Sequence, residues 1–401
     1  MASSTYNGIK LEPIGPIGII GHTSNKEFVQ NVSNILSQKR HKRLETCASP
    51  YVNRPGYVRS NYIIDADLIR FQTGEGKLSM GESVRGHDVF IITDCVSPNI
   101  RIRLIDGEHL MSPDDHYRDL LRIVSTCVGK ARRINIIMPF VYEGRTETRQ
   151  NLRASLDCSA MLRQLYDLGV ANFICFDPHD ERIQNSVPLM GIEMPKSQYK
   201  LTTTLLSNFG SIKIDKNSTM VVSPDEMGVS RAIFYSSALS LPLGIFYRDR
   251  DYTTKVDGEH PIKSYRFLGE DVEGKDIILI DDMINSGSTM LRTASKLKNM
   301  GAKDVYCISP FGLFTDGLKR FDEAYAEGTI KGVVCTNLIY RSEEVLSRDW
   351  YYDADMVPYV ARIIDGLNVD ESVYDLMHST QRLHEYVTQV RIGEIFDDFN
   401  D

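Results

Sequence analysis

The chain has 401 residues, 42% hydrophobic and 25% charged, with 46 Lys plus Arg against 54 Asp plus Glu for a net charge of −8. That balance excludes collagen-like, disulfide-scaffold and wholly disordered classes, and the length accommodates two domains or one fold and its duplicate. An acidic chain makes a poor nucleic-acid coat, although it can still carry a local cationic pocket for a small anion.

The first residues, Met1–Tyr6, lack the basic and apolar regions of a secretory signal, and no apolar run approaches the ~18 residues of a membrane span. A cytoplasmic protein with no membrane and no nucleic-acid partner is expected. Seven cysteines form no CxxC pair, so reduced and mostly buried thiols are expected. The basic run Gln38–Arg43 reads as a solvated helix end rather than a nuclear signal or polyanion patch, and an irregular Pro/Gly/Asn-rich stretch follows to Tyr62. Short β-branched runs then recur at Val89–Ile92, Ile134–Ile137, Phe173–Phe176, Ile277–Ile280, Val305–Ile308 and Val333–Cys335. Nearly continuous apolar strands of this length suit a parallel sheet covered on both faces. Between them, Pro98–Ser112 reads as a surface excursion. Ser112-Pro113-Asp114-Asp115 starts a helix carrying Tyr117, Leu120, Leu121, Val124, Cys127 and Val128. Met161, Leu165 and Leu168 repeat the helical spacing up to Gly169, as do Met290, Ala294 and Leu297 up to Gly301. Leu383, Tyr386, Val387 and Val390 give the tail a helical pattern, with the acidic end Asp397–Asp401 expected to fray. Strand, helix, strand with glycine at the helix end is the βαβ signature, so the fold class is α/β with parallel sheets.

The halves resemble each other. Val84-Arg85-Gly86-His87-Asp88 with the strand to Ile92 and Thr93-Asp94 parallels Val272-Glu273-Gly274-Lys275-Asp276 with the strand to Ile280 and Asp281-Asp282. Ala131 through Phe140 parallels Ala302 through Phe311 in the same order. An internal duplication is therefore expected.

The sharpest chemistry lies at Ile277–Thr289. A buried strand delivers Asp281 and Asp282 at its carboxyl edge, where open α/β sheets place ligands. Ser286-Gly287-Ser288-Thr289 then opens a helix near Met290, exposing consecutive backbone N–H groups as a phosphate cradle. Carboxylates beside it can accept hydrogen bonds from vicinal sugar hydroxyls. Together these describe a pentose 5-phosphate site. No Walker loop competes, because Gly74-Glu75-Gly76-Lys77-Leu78 lacks the upstream glycine and the Ser/Thr after lysine.

This pattern resembles the phosphoribosyl-pyrophosphate motif of type I phosphoribosyltransferase-like folds. The rest of the chain is similar to the phosphoribosyl pyrophosphate synthetase (ribose-phosphate diphosphokinase) family. The likeness is carried by Phe71-Gln72-Thr73-Gly74-Glu75, Gly81–Val89, Tyr142-Glu143-Gly144-Arg145 with Arg153, Asp177-Pro178-His179, Val222-Ser223-Pro224-Asp225 and Arg248-Asp249-Arg250, and spans about Gly18 to Met377. The resemblance implies two duplicated domains of that fold, each with a central, mainly parallel sheet flanked by helices. Residues 1–197 would form the nucleotide side, with insertions near 40–62 and 98–112. Residues 198–345 would carry the ribose 5-phosphate site, and 346–401 a helical segment packing back on the first domain. It implies transfer of the diphosphoryl group of Mg-ATP to O1 of ribose 5-phosphate, giving AMP, with Mg²⁺ as cofactor. A non-catalytic synthetase-like regulatory subunit and a phosphoribosyltransferase are the alternatives.

By the same resemblance, His179 and Asp225 are metal ligands, and Asp225 also reaches the ribose. Asp281 and Asp282 hold the ribose, and Asn285, Ser286, Gly287, Ser288 and Thr289 its phosphate. Phe71, Thr73, Glu75, Arg145 and Thr146 line the ATP region, while Arg248 and Arg250 on a mobile flap, and His179 just after the strand Phe173–Phe176, serve catalysis. A homo-oligomer built from dimers into a hexamer is implied. The chain departs from the family pattern at Arg248 (lysine is usual), Asn285 (aspartate), Thr73 (asparagine), Thr146 (glutamine) and Gln150 (aspartate), at Pro178 and Glu226-Met227, and in a flap lengthened through Asp257–Pro261. Most of these changes fall on the nucleotide side.

Overall fold

A computed structural model describes residues 5–6, 9–10, 12–22, 25–46, 50–149, 153–250, 262–377 and 379–392. The chain divides into two compact units, one of residues 1–196, 337–340 and 355–378, the other of residues 197–336, 341–354 and 379–401. Each has its own sheet and core.

The first unit contains β1 (Ile17–Gly21), α1 (Lys26–Thr46), β2 (Ala66–Arg70), β3 (Gly76–Met80), β4 (Asp88–Ile92), β5 (Arg101–Leu104), β6 (Gly107–Leu110), α2 (Pro113–Cys127), β7 (Arg133–Ile137), α3 (Asp157–Asp167), β8 (Asn172–Ile174) and β9 (Gly191–Glu193). Its sheet runs β9-β8-β7-β4-β1, every pair parallel. All five residues of β4 are buried, as a strand covered on both faces requires. The β5–β6 hairpin is the excursion expected between Pro98 and Ser112. Helix α2 begins where its start signal lies: the Ser112 hydroxyl accepts from Asp115 N, the Asp115 carboxylate accepts from Ser112 N, and Pro113 fills the first turn. Gly169 ends α3 at φ +87°.

The second unit contains α4 (Gln198–Asn208), β10 (Thr219–Ser223), α5 (Val229–Leu239), β11 (Leu243–Arg250), β12 (Ile262–Leu268), β13 (Asp276–Ile280), β14 (Met283–Ile284), α6 (Ser288–Asn299), β15 (Val305–Ile308), β16 (Phe311–Gly312), α7 (Lys319–Ala326), β17 (Gly332–Thr336) and β18 (Tyr351–Ala354). Its sheet runs β12-β11-β10-β13-β15-β17-β18, parallel except between β11 and β12.

Stripped of hairpins, β1-β4-β7-β8-β9 and β10-β13-β15-β17-β18 are one topology twice. The repeat extends to details that pairing alone does not demand. Gly86 and Gly274 enter the equivalent strands β4 and β13 at φ +75° and +70°, each after a turn closed at 3.1 Å (His87 N to Val84 O, Lys275 N to Val272 O). Three residues beyond the matched Phe140 and Phe311, Glu143 and Phe314 both take positive φ, at +57° and +47°. Only the first unit lacks a full β11 equivalent: there a single parallel bridge, Ile19 to Ile63, precedes the β2–β3 hairpin.

One expectation is corrected. The basic run Gln38–Arg43 is not simply a solvated helix end, because Arg40 is fully buried. Its Nε donates to Asp365 at 2.8 Å and its Nη2 to Asn368 at 2.8 Å, and its guanidinium lies 4.2 Å from the Tyr57 ring centroid. A cation enters a core only with such partners, and the partner lies more than 300 residues away, out of reach of local pattern reading. The six described cysteines are all buried, as expected. Cys47, Gln150, Asp257–Pro261 and Asp397–Asp401 lie outside the described residues, and no described helix is long and apolar enough to cross a membrane.

The first unit also carries a buried histidine pair, His22 and His116, with ring centroids 5.0 Å apart. Burial, then the charges of His116 and Arg70, lower the pKa of His22 from 6.5 to about 3. A folded-state value below the unfolded one means that the stability it contributes is complete above pH 6.5 and is lost as pH falls toward 3. A His22→Gln chain should therefore lose less stability between pH 7.5 and 4.5 than the parent, whose slope carries up to about 1.4 kcal/mol per pH unit from this residue. Urea midpoints at the two pH values check this, and identical slopes would refute it.

Candidate functional site

The carboxyl edge of the second sheet gathers the motif. β10 and β13 are neighbours in register (Val222 opposite Leu279), so the turns leaving them, Pro224–Gly228 and Asp281–Gly287, emerge side by side. Asp225 is 9% exposed, and its Oδ1 accepts from Met227 N at 3.0 Å and Gly228 N at 3.3 Å. Asp281 Oδ1 accepts from Asp282 N at 2.9 Å. Burial, then the neighbouring charges of Asp282 and Asp225, push the Asp281 carboxyl well above the usual carboxylate range. Three acids thus crowd a desolvated edge, a hydrogen-bond-accepting surface that hydroxyl donors or a cation would relieve.

After β14 the chain turns through Asn285, Ser286 and Gly287 into α6. Gly287 sits at φ +76° as the N-cap residue and supplies no side-chain acceptor to the first-turn amides. The Ser286 and Ser288 hydroxyls lie 2.9 Å apart, and Ser288 N donates to Ser286 Oγ at 3.4 Å. The β14–β16 ladder (Met283 opposite Phe311) fixes the loop from the far side, where Thr315 N donates to Asn285 O at 3.0 Å and Thr315 Oγ1 to Asn285 Oδ1 at 3.1 Å. Asn285 is therefore held by both ends. Thr289 lies in the first turn of α6, its carbonyl accepting from Thr293 Oγ1 at 2.8 Å.

Sequence reasoning missed three contributors. Thr315 and Arg320 reach the loop from the segment after β15, and Arg320 Nη1 donates to Ser288 Oγ at 2.9 Å. Tyr265 on β12 anchors the β11–β12 pair, donating to Pro224 O at 3.4 Å, with the Arg292 guanidinium 4.6 Å from its ring centroid. Nothing in the residues beside them announces a ligand, because each reaches the site from a separate segment of the chain.

Arg248 and Arg250 lie on β11, Arg248 opposite Tyr265, with the register slipping between Asp249 and Arg250. In the first unit, Phe71 to Glu75 is the β2–β3 turn, closed by Phe71 N to Glu75 O and Gly74 N to Phe71 O at 2.8 and 2.9 Å. Phe71 is 49% exposed, and Thr73 Oγ1 donates to Glu75 Oε2 at 3.0 Å. Arg145 is exposed on the turn after β7. Beside it, Thr146 Oγ1 donates to Glu143 O at 2.8 Å and accepts from Cys158 N at 3.2 Å, so that hydroxyl caps α3, whose own N-cap residue Leu156 offers no acceptor. His179 is half-buried beyond β8, following Asp177 at φ +38°. Among the described residues no cluster of three or more His, Cys, Asp or Glu is arranged to hold a metal.

The glycine-capped helix mouth is not duplicated. The equivalent loop of the first unit, Thr93–Pro98, has no glycine, and Asp94, the counterpart of Asp282, is buried and accepts from Tyr340 N at 2.7 Å and Val96 N at 3.0 Å. Burial pushes its pKa up to about 6 against those two bonds.

The family model described as the N-terminal domain of ribose phosphate pyrophosphokinase matches residues 17–169, and that of the phosphoribosyl transferase domain matches residues 200–325. The chain is 30% identical over 281 residues to the ribose-phosphate pyrophosphokinase of Staphylococcus saprophyticus, covering 69% of this chain and 77% of that one. It is 29% identical over 310 residues to ribose-phosphate pyrophosphokinase 2 of Schizosaccharomyces pombe, covering 76% and 87%. Among solved structures, phosphoribosylpyrophosphate synthetase from Mycobacterium smegmatis matches with a TM-score of 0.67 at 22% identity, over 88% of this chain and 98% of that one, a likeness of fold.

Proposed function

The chain belongs to the ribose-phosphate pyrophosphokinase family, and from that premise we propose that it transfers the diphosphoryl group of ATP to O1 of ribose 5-phosphate, releasing AMP and 5-phosphoribosyl 1-pyrophosphate. The observation that carries the reading is the Asp281–Thr289 edge, where an acidic pair adjoins a glycine-capped helix mouth bearing two serine hydroxyls. One part accepts from ribose hydroxyls while the other donates to a terminal phosphate.

Donor and acceptor are both anions, so alignment and charge neutralisation dominate the barrier. Asp281, Asp282 and Asp225 orient the pentose, and Asn285–Thr289 anchor its 5-phosphate. Exposed Phe71 offers an aromatic face for the adenine, with Thr73 and Glu75 beside it. Arg145, Arg248 and Arg250 are assigned to the phosphates of ATP, and Thr146 holds their turn. The hard oxygen donors of Asp225, Asp281 and Asp282, gathered at one sheet edge, are of the type that suits a divalent cation such as Mg²⁺. The protein ligands proposed are His179 and Asp225. Bound Mg²⁺ would neutralise charge on the transferring phosphates. A cytoplasmic homo-oligomer is proposed with the activity.

The test is AMP release from ATP, Mg²⁺ and ribose 5-phosphate, matched mole for mole by phosphoribosyl pyrophosphate. Arg248→Ala is expected to lower kcat about 10²-fold, the effect of removing one charge-stabilising donor, while the affinity for ribose 5-phosphate stays within about twofold. Equal losses in both would remove Arg248 from the transfer step. No AMP with any nucleoside triphosphate would overturn the activity itself.

A further inference from the structure

The loop read as receiving the 5-phosphate offers neutral partners of its own, namely backbone amides and hydroxyls, and it stands beside three acidic side chains, Asp225, Asp281 and Asp282. Bringing a phosphate dianion to such a place calls for a cation. The geometry points to Arg320: we propose that its guanidinium is the charged member of the 5-phosphate cradle, exchanging the Ser288 hydroxyl for the phosphate oxygens when ribose 5-phosphate binds. The inference rests on the reading of Asn285–Thr289 as the 5-phosphate site.

Arg320 lies in the first turn of α7, in the β/α segment that follows the one carrying the loop, and the β14–β16 ladder brings the two segments together. Its Nη1 is 2.9 Å from Ser288 Oγ, itself 2.9 Å from Ser286 Oγ, so the cation already reaches the hydroxyl pair at the helix mouth. The backbone that presents it is anchored. Phe321 is fully buried, packs against Gly287 and stacks on Trp350 at 5.3 Å. Asp322 Oδ1 accepts from Trp350 Nε1 at 2.8 Å and from Arg348 Nε at 2.9 Å. Without ligand the guanidinium has weak company. Asp316 stands 3.8 Å away with both side chains at least half exposed, an ion pair worth little in water. A phosphate offers two parallel charge-assisted bonds to the same planar fork, so the exchange favours the ligand.

Calorimetric titration of the full chain with ribose 5-phosphate, backed by steady-state kinetics, tests the assignment. Arg320→Ala should weaken binding roughly 10- to 100-fold, the range of a lost charge-assisted hydrogen bond. Arg320→Lys should recover part of the loss, and added salt should narrow the gap between parent and Arg320→Ala. Because the 5-phosphate is remote from the reacting O1, the loss should appear in KM for ribose 5-phosphate with kcat within a few-fold. Melting temperatures should coincide, since the side chain is 57% exposed. Parent-like binding by Arg320→Ala would overturn the inference and leave the loop reading intact. Failure of the parent itself to bind ribose 5-phosphate would overturn that reading and this inference together.

Discussion

A Gly287→Val chain is expected to lose more than about 10³-fold in kcat/KM for ribose 5-phosphate and about 2–6 kcal/mol of stability. Two costs add at this position. The backbone sits at φ +76°, a conformation that a β-branched residue adopts only under strain of about 1–3 kcal/mol. A Cβ placed there would lie 2.4 Å from Cε2 and Cζ of Phe321. That ring cannot swing aside, because it is fully buried and stacked on Trp350, and overpacking of this kind costs about 1–3 kcal/mol more. The relief available is to push the loop outward, which scatters the amides proposed to converge on the 5-phosphate. Gly317→Ala is the control. Its φ is +78° but nothing lies within 4 Å of a Cβ built there, so it should cost only about 1 kcal/mol and leave turnover near the parent value. Urea midpoints and initial rates on both chains decide the matter. Equal damage from the two would place the whole effect in the backbone angle and none in the contact with Phe321.

The contrast between those glycines marks what the sequence could and could not reveal. Strand-forming runs such as Ile277–Ile280 were legible because a strand buried on both faces must be apolar throughout, and helix limits such as Ser112 and Gly301 were legible because capping is local chemistry. The repeat was visible because it preserved the turn glycines Gly86 and Gly274 along with the strands. The Asp281–Thr289 site could be read because all of its chemistry lies within one strand, turn and helix mouth. Residues supplied by other segments escaped. Arg320 and Thr315 meet the loop only through a two-residue ladder, and nothing in their own neighbourhood announces a ligand. Arg40 looked like surface because its partners, Asp365 and Asn368, are remote in sequence. The capping of α3 by the Thr146 hydroxyl, a need created by Leu156 at the N-cap, was likewise out of reach of local pattern reading.

Asp281→Asn should separate function from stability in opposite directions. In the folded chain burial, Asp282 and Asp225 hold the Asp281 pKa above its ordinary 3.8. The folded state therefore keeps a proton that the unfolded chain has released. The stability tied to that proton is present at low pH and is lost as pH rises through the raised folded value. Asparagine keeps the shape and the oxygen that accepts from Asp282 N, and it carries no charge to desolvate. At pH 7.5 without substrates the variant should melt higher than the parent, and the advantage should vanish as pH is lowered toward 3.8. Turnover should move the other way. A carboxylate accepting from two ribose hydroxyls contributes about 3–6 kcal/mol, so kcat/KM should fall roughly 10²- to 10⁴-fold. Ribose 5-phosphate should raise the melting temperature of the parent by more than that of the variant, because only the parent gains full partners for its acids. A variant that melts lower than the parent at pH 7.5 would mean that the Asp281 charge is already compensated in the empty protein, and the crowded-acid account of this edge would be wrong.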